Sequence, residues 1–126
     1  MTNAPGALNA ASQMRLAESV HELDSLTAYY RQLADSMQRF GESGEPYTEE
    51  QFNAMLHAFP FVTTRAVAVI NRLWEGAGSS AIFESNPMQR YWRDAQACRL
   101  HFGSDYDANR IQHGRYLLGL PPTPDL

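Results

Sequence analysis

The residues whose types and spacing carry chemistry lie between Asn86 and His101, in the stretch NPMQRYWRDAQACRLH. Asn86 can cap a helix with its side-chain oxygen, and Pro87 suits the first helical position, where its missing N–H is no loss. At 100° per residue, Arg90, Asp94, Ala97 and His101 then share one polar stripe, with Arg93 on its shoulder. A guanidinium, a carboxylate, a side chain reduced to a methyl and an imidazole in one sector make a surface suited to something flat and polar. A second stripe of Met88, Tyr91, Ala95, Cys98 and Phe102 is apolar and is expected to face the core. Cys98 is three residues from His101, the spacing of a thiolate–imidazole pair, but on the apolar stripe it reads as a small buried hydrophobe. His101 itself has two readings, a proton-handling group or a structural histidine bonded to Asp94 or Arg90. The two arginines either bind an anion or make salt bridges.

Glu18 and His21 have the Glu-x-x-His spacing of di-iron bundles. Such a site needs a second copy of the motif, and His57, His101 and His113 have no Glu three residues before them. A solvated helix face is the expectation there, and no metal site is assigned.

These groups need helices to position them. Leu16, Val20, Leu23, Tyr30, Leu33, Met37 and Phe40 recur at spacings of three, four and seven, which predicts one amphipathic helix over 10–40. Its length of roughly 45 Å exceeds what a small domain requires, so its ends are expected to reach a neighbouring subunit. Gly41 is expected to stop it, with 41–46 (GESGEP) as a turn-rich connector. Thr48 and Gln51 have the capping-box spacing, Tyr47 and Phe52 stand at staple positions, and a second helix is predicted over 48–76. Pro60 interrupts it and predicts a kink near Leu56–Phe59. A third helix is predicted over 87–102, ended by Gly103. A fourth, over 106–118, is capped by Asp105 or Asp107 and closed by Gly119, Pro121 and Pro122. Gly114 inside it costs up to about 1 kcal/mol relative to Ala, which suggests close approach of a backbone or ligand. Nothing alternates like a strand. The expectation is an all-α, antiparallel four-helix bundle over 10–122, with a flexible leader at 1–9 and a tail at 123–126.

The run Gly78 to Phe102, followed by His113 to Pro122, resembles the C-terminal end of flavin-dependent monooxygenases of the acyl-CoA dehydrogenase fold. The nearest patterns are those of aromatic hydroxylase oxygenase components and dibenzothiophene-type monooxygenases. The shared signature is a G-S-S/A turn, N-P-x-Q-R-x-x-R-D, a His seven residues after that Asp, and G-R-x-x-x-G. Here it comprises Gly78, Asn86, Pro87, Gln89, Arg90, Arg93, Asp94, His101, Gly114, Arg115 and Gly119. The resemblance covers 10–122 but only the last domain of the family, whose N-terminal helical and middle β-domains make most of the flavin pocket.

The resemblance implies a bundle that assembles into homo-oligomers and forms one wall of a flavin and aromatic-substrate site. In that reading His101 is catalytic, beside the flavin ring and a phenolic substrate, while Arg90, Arg93 and Asp94 bind cofactor. FMN or FAD would be held only with a partner chain supplying the other domains, and a flavin reductase would complete the system. The isolated chain is expected to hold no flavin tightly. The alternatives are a non-catalytic assembly or regulatory bundle, and a small-molecule-binding pathway protein that reuses the Arg90/Asp94/His101 stripe without flavin.

Composition bounds these readings. The chain has 126 residues and a net charge of −4, and all ten basic residues are Arg. Residues 1–50 hold eight acids against three Arg, and 51–126 hold six against seven. No basic stripe interleaves with aromatics, so a nucleic-acid partner is not expected. The single Cys98 excludes an internal disulfide and fits a reducing compartment. No segment approaches the ~18 apolar residues of a membrane span, and a cytoplasmic location is the expectation.

Overall fold

The computed structural model describes residues 9–101 and 105–123. Four α-helices, α1 (Ala10–Ser43), α2 (Glu49–Ala77), α3 (Pro87–Arg99) and α4 (Tyr106–Leu117), are joined by turns and one 3-10 turn, Ser79–Ile82. No strand occurs among the described residues. The all-α expectation therefore holds. The helix starts are fixed by the caps that the sequence offers. Thr48 Oγ1 accepts from the Gln51 N–H at 3.3 Å and Gln51 Oε1 accepts from the Thr48 N–H at 2.8 Å, which completes the capping box. Asn86 Oδ1 accepts from Met88 N–H at 3.0 Å, and Asp105 Oδ1 from Ala108 N–H at 3.1 Å.

The stop of α1 differs from expectation. α1 runs through Gly41 and ends at Gly44, whose φ of 70° is the left-handed conformation that glycine adopts without a Cβ penalty. Gly41 is tolerated in the helix at modest cost because the next glycine provides the αL stop. α2 runs through Pro60 as one helix of 29 residues. Pro60 is buried, so packing offsets the lost hydrogen bond there.

α2 is the element against which α1, α3, α4 and the 3-10 turn all pack. α1 and α2 are antiparallel, since Arg15 meets Gly76, Glu22 meets Arg72, and Tyr29 meets Phe61. The core is small: Leu26, Ala58, Val67, Val69, Ala81 and Ala95 are its buried apolar residues.

The buried face of α1 is not the apolar stripe that periodicity selects. Ser19 and Leu26 are buried, whereas Leu16, Val20, Leu23, Tyr30 and Met37 are exposed. The reason is a polar seam. Arg72 donates to Glu22 Oε2 at 2.8 Å and to Ser19 Oγ at 3.4 Å, and Arg65 pairs with the other Glu22 oxygen. Three charges and a hydroxyl satisfy one another between α1 and α2, and that rotates the apolar stripe outward. At 34 residues α1 is about 50 Å long.

α3 is rotated in the same sense. Its inward residues are Met88, Trp92, Ala95 and Gln96, while Tyr91 is 63% exposed and Cys98 is exposed. The expectation of a buried Cys98 is overturned because Trp92 docks by stacking on Trp74, which turns the helix by about one residue from the purely apolar arc. Residues 1–8 of the expected leader at 1–9, Phe102, the stop at Gly103 and residues 124–126 of the expected tail at 123–126 lie outside the described residues. No helix among the described residues is long and apolar enough to cross a membrane.

Candidate functional site

The signature divides into residues that shape the backbone and residues that do not. Gly78 takes φ 71° at the end of α2. Asn86 caps α3, and its amide also donates to Ser80 O at 3.2 Å, tying the 3-10 turn to the helix that follows. Pro87 occupies the first turn. Beyond α4, Gly119 takes φ 66°, and Arg115 Nε donates to Pro121 O at 2.6 Å, folding the chain back along the helix. Gln112 holds the same return through Thr123, donating to its carbonyl at 3.1 Å and accepting from its N–H at 3.2 Å.

Arg90, Arg93, Asp94, Ala97 and His101 are all exposed. They occupy the sector of α3 that faces away from α2, as their spacing predicts once Trp92 and Gln96 face inward. Arg90 Nε lies 3.5 Å from Asp94 Oδ2, an i,i+4 pair with side chains 78% and 59% exposed. Such a pair is worth about 0–1 kcal/mol, too little to explain the charges as packing devices. Arg93 has no ion pair or hydrogen bond among the described residues. His101 sits just past the helix end, where its N–H donates to Cys98 O at 3.3 Å. Exposed apolar side chains occur just before α3 and at its end: Ile82 at 67%, Phe83 at 66% and Leu100 at 85%. The outer sector of α3 is an open surface with two guanidiniums within one turn, a pattern able to match phosphate oxygens, and an imidazole, a group able to handle a proton.

A concave volume lies elsewhere. Between α1, α2 and α4 a cleft of about 530 Å³ is lined by Tyr29, Phe61, Tyr106, Asn109 and Gly114, with His57 and His113 between them. The two imidazoles meet edge to face with centroids 4.7 Å apart. Burial and the nearby His113 hold His57 below the usual imidazole range, against a smaller opposing effect of Asn109. His57 Nδ1 is buried without a hydrogen-bond partner. Sequence reading missed this pair because its members are 56 positions apart and neither has a neighbouring carboxylate. Gly114 was the one signal, and a Cβ built there meets nothing within 4 Å. The space beside it is therefore not taken up by another backbone of this chain.

Glu18 and His21 are both exposed, and among the described residues no group of three His, Cys, Asp or Glu is placed to hold a metal.

Residues 2–106 match the acyl-CoA dehydrogenase C-terminal domain family. The chain is similar to the flavin-dependent monooxygenase oxygenase subunit HsaA of Rhodococcus jostii, with 31% identity over 121 residues, 89% of this chain and 29% of that protein. The oxygenase component of p-hydroxyphenylacetate 3-hydroxylase from Acinetobacter baumannii is 25% identical over 125 residues, 99% of this chain and 30% of that one. The crystal structure of 3-HSA hydroxylase from Rhodococcus sp. RHA1 superposes with a TM-score of 0.79 at 28% identity, covering 89% of this chain and 30% of that chain. The chain thus spans about 30% of the length of these relatives.

Proposed function

This chain belongs to the family of the acyl-CoA dehydrogenase C-terminal domain, and on that premise we propose that the outer sector of α3 forms one wall of a flavin and aromatic-substrate site in a flavin-dependent monooxygenase. The observation that carries the reading is the division within the signature. Gly78, Asn86, Pro87, Arg115 and Gly119 form turns, caps and the chain return, whereas Arg90, Arg93, Asp94 and His101 stand exposed on one sector of a helix.

The donor set fits the cofactor. Arg93 and the outer nitrogens of Arg90 would bind flavin phosphate, of FMN or of FAD, and Asp94 would orient Arg90 through the Nε contact. A reduced flavin, when bound, supplies the electrons that activate dioxygen for hydroxylation of an aromatic ring. The protein's part is positioning and proton handling. Ala97 leaves room between the arginines and His101, and an imidazole nitrogen of His101 takes the proton of a phenolic hydroxyl as the ring becomes nucleophilic. Water must be excluded for such chemistry, and one helical face encloses only one side. The remaining walls come from N-terminal helical and β-domains, which correspond to the part of the relatives that this chain does not span. Alone, the chain therefore holds flavin weakly. The designation of the relatives as oxygenase subunit or component supports a separate flavin reductase as partner, and the Acinetobacter enzyme's name supports a small phenolic substrate. The exposed apolar stripe of α1 supports self-assembly, and the assembly is assigned to the cytoplasm.

A chimera tests the reading. Residues 10–122 are exchanged for the matching segment of the Rhodococcus jostii oxygenase subunit, and hydroxylation is measured with reduced flavin supplied. His101→Ala should lower turnover by about 10²-fold or more while changing stability by under about 1 kcal/mol. A loss of about 1–3 kcal/mol with normal turnover in the folded fraction would instead make His101 structural.

A further inference from the structure

The cleft between α1, α2 and α4 has a chemistry of its own, and no residue of α3 lines it. Its walls are aromatic. Tyr29 and Phe61 meet edge to face at 6.1 Å and 86°, and both rings remain about two-fifths exposed, so ring surface stays open to a ligand. Tyr106 closes the opposite side, with the Arg110 guanidinium 4.8 Å from its ring centre. That charge is already answered, because Arg110 donates to Asp107 at 2.8 Å.

Between these walls stands the polar group of the site. His57 and His113 are in ring contact, and Asn109, whose side-chain amide donates to Asp105 O at 2.6 Å, lines the cleft with them. An imidazole pair and an amide offer both donors and acceptors, which suits a hydroxyl. His57 also carries a buried nitrogen whose hydrogen bond is unmet, an arrangement that native interiors rarely keep without a partner. Gly114 supplies the second observation. A glycine inside a helix is unfavourable, and here no neighbouring atom requires it, since an added Cβ would meet nothing within 4 Å. What its missing side chain preserves is the floor of the cleft. The cavity of about 530 Å³ falls within the range of small-molecule sites.

We propose that this cleft binds a small, uncharged planar aromatic bearing a hydroxyl group, with its ring between Tyr29, Phe61 and Tyr106 and its hydroxyl directed to the His57, Asn109 and His113 cluster. Aromatic rings favour the offset and edge-on contacts that such walls provide, and a phenolic O–H both donates and accepts. The site does not depend on the α3 reading. Its occupant could be a substrate in transit or an effector, and both share this chemistry.

The test uses the 126-residue chain, isotopically labelled, titrated with 2-naphthol and, for comparison, with cyclohexanol. 2-Naphthol should give saturable shifts at the Gly114 amide and the His57 and His113 rings, and cyclohexanol should bind at least about tenfold more weakly. Gly114→Leu should weaken 2-naphthol binding by about tenfold or more without lowering the melting temperature. Gly114→Ala, which adds a single methyl in open space, should weaken it to a lesser degree and decides the matter if the leucine variant does not fold. Saturable shifts centred on α3 and not on the cleft residues would assign 2-naphthol to the other face and overturn the proposal. Absence of saturable shifts at millimolar 2-naphthol, whether because the cleft is closed or because a second copy of the chain fills it, would overturn the proposal. Equal affinity in the folded Gly114 variants would do the same.

Discussion

Trp92 lies stacked on Trp74, with ring centroids 5.0 Å apart and planes 26° from parallel, and its indole N–H donates to Asn71 Oδ1 at 2.9 Å. Gln96, one turn on, donates to the same oxygen at 2.8 Å. This seam sets the rotation of α3. With 92 and 96 turned to α2, helical geometry leaves 90, 94, 97 and 101 turned away. Trp92→Ala should cost about 2–4 kcal/mol, since it removes a large half-buried ring and a stacking partner. Denaturant unfolding measures this, and a loss within experimental error would mean that something other than the stack orients the helix.

The α1–α2 seam makes a charge-dependent contribution. Arg72, the main cause, with Arg65 holds the Glu22 carboxyl below its usual range against the opposing effect of burial. A lowered carboxylate pKa gives stability that is present above the unfolded value of 4.5 and lost as pH falls through the folded value. Glu22→Gln should cost about 1–3 kcal/mol at neutral pH and much less in acid below the folded value, where the parent carboxyl is itself protonated. Thermal melts across pH read both arms.

His57 acts in a different window and with the opposite chemistry. Its folded pKa lies below the ordinary imidazole value of 6.5. The folded state therefore resists a proton that the unfolded chain accepts. No penalty applies above about pH 7.5, and stability falls as pH drops through 6.5 toward the folded value. The groups around it are His113, Tyr106 and Arg110 on α4 and Tyr29 on α1, with Glu49 of α2 and Asp105 at the start of α4 along the adjoining groove that His57 also lines. The charge that acts on His57 is that of His113, which opposes a further proton. His57→Gln should flatten the stability profile between about pH 7.5 and 5, and an unchanged profile would show that His57 is freely solvated.

Self-association should depend on the outward stripe of α1. Leu16, Val20 and Leu23 are 58%, 46% and 40% exposed on successive turns, a contiguous apolar strip of the kind that marks interfaces. Sedimentation at tens of micromolar should show oligomers of the parent chain, and Val20→Asp with Leu23→Asp should shift it to monomer. A monomeric parent at that concentration would contradict the assignment.

Much of the fold was legible because it depends on local chemistry. Thr48 with Gln51 and Asn86 with Pro87 announce helix starts through hydrogen bonds within a single turn, and the helices begin there. The α1 face was misread for the opposite reason. Glu22 and Arg72 are 50 positions apart, so nothing local reveals that a polar seam, and not the Leu16–Val20–Leu23 stripe, meets α2. Cys98 was misplaced by the same kind of nonlocal event, the Trp74–Trp92 stack. At the candidate site, helical spacing alone grouped Arg90, Asp94 and His101 on one sector. The His57–His113 cleft needed the tertiary fold.

The most direct test of the α3 wall is a chemical-shift titration of the 126-residue chain with FMN, FAD and riboflavin. Weak, saturable changes should appear at Arg90, Arg93, Asp94 and His101, stronger for the phosphorylated flavins than for riboflavin, and Arg90→Gln with Arg93→Gln should remove that difference. The flavin should also separate from the protein on gel filtration, as expected of a site with one wall. Absence of shifts on α3 at millimolar flavin, or shifts centred on another face of the bundle, would contradict the account.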